Sequence, residues 1–231
     1  MPVGIGHLNN DPQGFNSLTR EDILLPIAQD ANYFSSATSG GAQGNFDISA
    51  SVAGTPVFLS VEAAKPLFYA RRPQATMTDN SGNTLRVSLR ITGRRFGRTV
   101  VQNIDLVTSG TAVSGTRVID EITSVVITSI TANAASDVLV VGFDNAWLGL
   151  TKPIKSKNDI NMVYKVAAGT PDAAGPKTKA DLTAAMVNVA DAAIDVNALY
   201  GAGIAVTDRY LIEYFANGFP AFLQRSGKRL G

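Results

Sequence analysis

Apolar and polar positions alternate strictly between Leu85 and Thr92: Leu85, Val87, Leu89 and Ile91 fall on one parity, Arg86, Ser88, Arg90 and Thr92 on the other. A period of two sends successive side chains to opposite faces of a β-strand, so this stretch predicts a strand with one buried face and one basic, wet face. A tight reversal at Arg94-Arg95-Phe96-Gly97-Arg98 follows, then strand patterns over 99–107, 119–130 and 138–142. Residues 85–142 therefore read as one long β-meander. Its last member, Val138-Leu139-Val140-Val141-Gly142, is apolar on both parities, which predicts a central strand.

The same signal extends both ways. Phe46, Ile48, Ala50 and Val52 alternate over 45–52, Ala53-Gly54 makes a turn, and Val57, Leu59 and Val61 share a face over 55–63. Residues 75–79 precede Asn80-Ser81-Gly82-Asn83, whose Asn and Gly suit a hairpin reversal into the strand at Leu85. Downstream, 161–166 and 210–215 read as strands, separated by a Pro, Gly and Lys loop over 169–179. Residues 180–193 stay open. Leu182, Ala185, Met186 and Val189 have helical spacing behind a Thr178 cap with Asp181 three positions on, yet Val187, Val189, Ile194 and Val196 alternate as a strand does.

Roughly nine to eleven short strands with no strand–helix alternation predict an all-β fold. The expected architecture is an antiparallel β-sandwich or jelly-roll-like barrel with extended N- and C-terminal arms. The expected division is an N-terminal arm over 1–45, a sandwich over 46–216 that could itself be two packed sub-modules (46–150 and 151–216), and a C-terminal tail over 217–231. Within the first arm, Thr19 with Asp22 predicts one helical turn between Leu18 and Ala31, ended by Pro26.

Composition narrows the function. The 231 residues are 45% hydrophobic and 17% charged, enough for a substantial core, and the net charge is only +1. Such neutrality argues against nucleic acid as a partner. The charge is uneven, however. Lys65, Arg71, Arg72, Arg86, Arg90, Arg94, Arg95 and Arg98 face only Asp79 between 65 and 98, whereas the first 45 residues hold Asp11, Glu21, Asp22 and Asp30 against Arg20.

Cysteine is absent, which removes disulfides, thiolate metal sites and cysteine nucleophiles. His7 is the single histidine and sits among Gly and Asn, a poor position for a triad or a metal ligand. Asp120 and Glu121 are adjacent, so in a strand they face opposite ways and cannot share a proton. The oxygen-rich Asp79–Asn83 turn lacks the further carboxylates of a calcium loop. We expect no catalytic residues, no cofactor and no metal. The beginning of the chain lacks a basic-then-apolar leader, and no apolar run approaches about 18 residues. Synthesis in the cytoplasm and no membrane span are the expectations.

The run Leu89-Arg-Ile-Thr-Gly-Arg-Arg-Phe-Gly-Arg-Thr-Val-Val-Gln-Asn-Ile-Asp-Leu106, with 110–116, 122–130 and 138–142 behind it, resembles a β-module recurrent in virion structural proteins of tailed bacteriophages. The chain departs from that pattern at Gln102 and Asn103, where an acidic residue is common. The resemblance implies a non-enzymatic virion protein: a head decoration or cement protein that stabilises the capsid, or a minor neck, tail or fibre-base component. Implied partners are the major capsid protein and copies of itself, as a trimer or dimer, in a virion assembled in the host cytoplasm. The expected partner-binding residues are Phe15, Leu18, Ile23, Leu24 and Leu25 from the first arm, Arg94, Arg95 and Arg98 at the hairpin, and Phe219, Phe222 and Leu223 from the last. A glycan-binding sandwich is the reading from another class, with Trp147 and Tyr164 or Tyr200 as the platform.

Overall fold

The structure is a computed structural model describing residues 16–24, 33–34, 46–48, 56–59, 69–134 and 136–217. Among these residues the fold is all-β and antiparallel, in open sheets that do not close into a barrel. Two compact units divide the chain: residues 28–148, here the sandwich unit, and residues 1–27 with 149–231, the sheet unit.

In chain order the elements begin with β1 (Asn16–Leu24), which belongs to the sheet unit. The sandwich unit contains β2 (Phe46–Asp47), β3 (Val57–Leu59), β4 (Pro73–Thr78), β5 (Arg86–Arg95), β6 (Arg98–Leu106), β7 (Val113–Ser114), β8 (Glu121–Thr131) and β9 (Val138–Phe143). The chain passes from one unit to the other within β10 (Trp147–Gly149). Beyond it come β11 (Ile160–Ala167), β12 (Thr170–Pro171), β13 (Lys177–Thr178), β14 (Val187–Asn188), β15 (Ala193–Asp195), the short helix α1 (Val196–Tyr200) and β16 (Asp208–Asn217).

In the sandwich unit, one sheet runs β2-β9-β4-β7 and the other β3-β8-β5-β6 among the described residues. Their inward parities meet in one core. Ala75 and Met77 of β4 and Leu139, Val141 and Phe143 of β9 pack with Val87, Leu89 and Ile91 of β5, Ile104 and Leu106 of β6, and Val125 and Ile127 of β8. Burying each such side chain stabilises the fold by about 1.5–3 kcal/mol. The strands expected over 85–142 are present as β5, β6, β8 and β9, but they form no single meander: only β5 and β6 pair as a hairpin, β8 pairs with β5 on its other side, and β9 lies in the second sheet between β2 and β4.

Two bulges bend the β5–β8 pair, at Ser88/Leu89 and Thr92/Gly93. The extra residues on β8 are Thr128 and Thr123. Their hydroxyls donate to Ser88 O (3.2 Å) and Thr92 O (3.1 Å), restoring a partner to carbonyls at the interrupted ladder.

The Asp79–Asn83 segment differs from expectation. It does turn, with Gly82 at φ +72°, but β4 and β5 lie in different sheets, so the loop crosses the sandwich and closes no hairpin. Asp79 accepts from the backbone N–H of Gly82 (2.7 Å), Asn83 (3.3 Å) and Leu85 (3.1 Å), and these donors, Leu85 first, hold its carboxyl below the usual range. Asp137, buried opposite, accepts from Asn80 N (2.9 Å) and Ser81 N (3.1 Å).

The sheet unit corrects the arm. Residues 16–24 form no helical turn; they are strand β1, paired in register with β16 from Asn16↔Asn217 to Leu24↔Arg209. The order is β1-β16-β11-β12, with β13 also on β11. Tyr210, Ile212 and Tyr214 of β16 are buried with Ile23 of β1 and Ile160 and Val163 of β11.

The open segment 180–193 becomes neither alternative in full. It contains the 3-10 turn Ala184–Met186 and strand β14, which pairs with β15. Thr178 and Asp181 make their bonds, Thr178 N (2.8 Å) and Oγ1 (3.1 Å) donating to Asp181 Oδ2, but they close a turn. The helix lies later, where Ala198 N donates to Asp195 (2.8 Å) and Gly201 ends α1 at φ +69°.

Candidate functional site

The outer face of β5 carries a row of cations. Its alternation leaves Arg86, Arg90 and Arg94 exposed, each four residues from the next, a spacing of about 13 Å along a strand. Flanking positions are mixed: Asn103 of β6 stands opposite Arg90, Ser124 of β8 opposite Thr92 and Thr99 opposite Arg94, but the exposed Val101 of β6 also stands opposite Thr92, and the exposed Phe58 of β3 lies beyond Val126, which is opposite Arg90. Arg98, exposed, begins the return strand opposite Arg95 and so lies on the other parity, off this row. Two acids offset this row. Glu121 lies 3.3 Å from Arg94, and Asp105 stands opposite Ser88. Among the described residues no ion pair engages Arg86 or Arg90, so the face keeps an excess of positive charge available to carboxylates.

The hairpin itself is built for rigidity. Arg95 pairs with Arg98, leaving the two-residue loop Phe96-Gly97 at φ +51° and +73°, the signature of a type I′ turn. A positive φ at Phe96 costs roughly 1–2 kcal/mol. Its N–H offsets part of that by donating to Asp120 Oδ2 (2.8 Å). Arg95 turns inward, 4% exposed, with Nη1 on Asp120 Oδ1 (2.6 Å) and its guanidinium 3.8 Å from the Phe96 ring centroid. It pins the turn to β8 and is not presented to a partner, which corrects the sequence expectation for this residue.

The other expected contact residues scatter. Leu18 is exposed across from Phe215 on the outer face of the sheet unit. Ile23 is fully buried on the inner face, so it serves the core and is closed to a partner while β1 is paired. Leu24 lies in β1 opposite Arg209. Phe15, Leu25, Phe219, Phe222 and Leu223 lie outside the described residues. Arg86 and Arg90 were not among the expected contacts, although the period of two already placed them beside Arg94 on the wet side.

The remaining polar clusters act as pins. Gln102, buried on β6, accepts from Thr116 N (3.0 Å) and Arg117 N (3.1 Å) and donates to Arg117 O (3.3 Å), clamping the 115–117 loop over the sheet edge. Arg71 donates to Asp144 O and stacks over Phe143 (4.8 Å), while burial pushes the Asp144 carboxyl up. Lys165 and Asp208 form a buried pair at 3.4 Å between β11 and β16. Glu21 of β1 accepts at Oε1 from Thr151 N (2.8 Å), from the Thr151 hydroxyl and from the Tyr214 hydroxyl. Burial and the Glu21 charge push the Tyr214 phenol up.

Trp147 does not offer a sugar platform: it is 7% exposed and lies beneath the Arg72 guanidinium, 4.2 Å from its ring centroid. The Tyr200 hydroxyl donates to Val163 O (2.7 Å). Among the described residues no group of three or more His, Asp or Glu side chains is gathered as metal ligands. No helix among them is long and apolar enough to cross a membrane. Comparison of the chain with family models, with curated proteins and with solved structures finds no match.

Proposed function

We propose that this chain is a non-enzymatic structural protein of a tailed-phage virion that binds and stabilises the capsid from outside as a decoration or cement protein. The observation that carries the reading is the row Arg86, Arg90 and Arg94 on the outer face of the β3-β8-β5-β6 sheet, with the exposed apolar side chains of Phe58 and Val101 beside it. Long-range complementarity of this kind guides docking onto a carboxylate-bearing protein surface. The resemblance of 89–142 to virion β-modules supplies the class of partner: the major capsid protein.

Reversing Arg86 and Arg90 to Glu together should abolish binding to capsids while leaving the thermal midpoint within a few degrees of the parent, because both side chains are exposed. Retained binding by this variant defeats the proposal. A neck, tail or fibre-base position is the second reading within the same class, and the copy number separates them. A decoration protein scales with the major capsid protein in quantitative mass spectrometry of purified particles; a vertex component does not.

A further inference from the structure

We propose that β1 is an exchangeable strand: Asn16–Leu24 of one copy completes the β16 edge of a second copy. This stands on the sheet unit's own geometry and goes beyond the capsid-binding reading.

Without β1, β16 presents a row of unpaired N–H and C=O groups nine residues long, a ready template for any strand of matching chemistry. The match is unusually specific. Outward, Leu18 meets Phe215, Arg20 meets Glu213 (Nε to Oε1, 2.8 Å), and Asp22 bridges diagonally to Arg209 (2.8 Å from Nε). Inward, Thr19, Glu21 and Ile23 are buried. A slip of one residue would expose Ile23 and bury both outer ion pairs, so the register is strongly specified. A second copy carries that sequence.

Connectivity makes β1 separable. The whole sandwich unit lies between it and the rest of its sheet, so β1 can leave without moving β16, β11 or their connections. The grip on it is also incomplete. Glu21 Oε2 is buried with no hydrogen-bond partner, a desolvation cost of about 1–3 kcal/mol on the strand's central anchor. Closed and exchanged forms make the same contacts. Their ratio is therefore set by the concentration of neighbouring copies against the effective concentration that the connecting chain imposes. Copies held side by side on a lattice favour exchange.

The chain has no cysteine, which makes the test clean. A double variant, Leu18→Cys with Phe215→Cys, places two thiols at exposed, directly paired positions. It is unfolded, refolded at graded concentrations, oxidised, and run on a non-reducing gel. Exchange gives disulfide-linked dimers and higher species whose fraction rises with concentration; the out-of-register pair Arg20→Cys with Phe215→Cys gives few. As a second measurement, singly substituted Leu18→Cys and Phe215→Cys chains carrying different mass tags are co-refolded, and exchange enriches the mixed dimer over either self-dimer. Closed monomer at every concentration, or equal linking by the two double variants, overturns the proposal. Neither result depends on capsid binding, so loss of one reading leaves the other standing.

Discussion

Gln102 illustrates how one side chain can close a sandwich edge. Its carboxamide both accepts from two loop amides and donates to a loop carbonyl, which a carboxylate cannot do. The loop is fitted around this carboxamide: a Cβ at Gly115 would stand 2.2 Å from Gln102 Oε1. Gln102→Ala is expected to cost about 2 kcal/mol, because two loop N–H groups lose their acceptor. Gly115→Ala should cost a comparable amount by displacing the carboxamide. In the double variant the two costs should fall well short of their sum, as measured by urea unfolding. Additivity would show that the loop is held by other means. At this scale the sequence was partly legible. Arg95 shares the parity of Leu85, Val87, Leu89, Ile91 and Gly93, so alternation alone already turned it inward; reading the basic run as a unit obscured that.

At the scale of the element, β1 shows what local pattern does not carry. Its alternation, Leu18, Arg20 and Asp22 against Thr19, Glu21 and Ile23, has a polar residue on both faces, and its partner β16 lies some 190 positions away. No local window holds that information, and Thr19 with Asp22 imitates a helix cap. The Asp79–Asn83 turn was legible as a turn for the converse reason: turn chemistry is local, whereas which sheet the next strand joins depends on tertiary packing. The β1–β16 ladder also has a definite acid response. Hydrogen bonding and charge from Arg209 hold Asp22 below its ordinary 3.8, and Arg20 holds Glu213 below its ordinary 4.5. A depressed carboxylate stabilises the fold above its ordinary pKa and loses that contribution as pH falls through the folded value. Acidification below 3.8 should therefore release β1 first. Amide exchange, corrected for intrinsic rates, should rise in 16–24 before it rises in β5 and β8; simultaneous loss of protection would contradict this.

For the whole molecule, the decisive fact is that one unit is contiguous in sequence and the other is not. Residues 28–148 contain both sheets of the sandwich and their shared core. Expressed alone, that segment should unfold cooperatively in a thermal melt followed by circular dichroism. Residues 149–231 alone, deprived of β1, should self-associate through the bare β16 edge. A non-cooperative melt of 28–148 would mean that the sandwich depends on its neighbour. The β class was legible because period-two patterning recurs along the chain. That β1 belongs with residues 149–231 was not, since its partner strand lies at the far end of the chain. Chain order has a temporal consequence as well. A ribosome makes β1 first and its partner last, after roughly 10–40 s at ordinary elongation rates. During that interval the sandwich can finish folding while β1, with Leu18 and Ile23 uncovered, is open to capture by chaperones or by a finished neighbour on the same polysome.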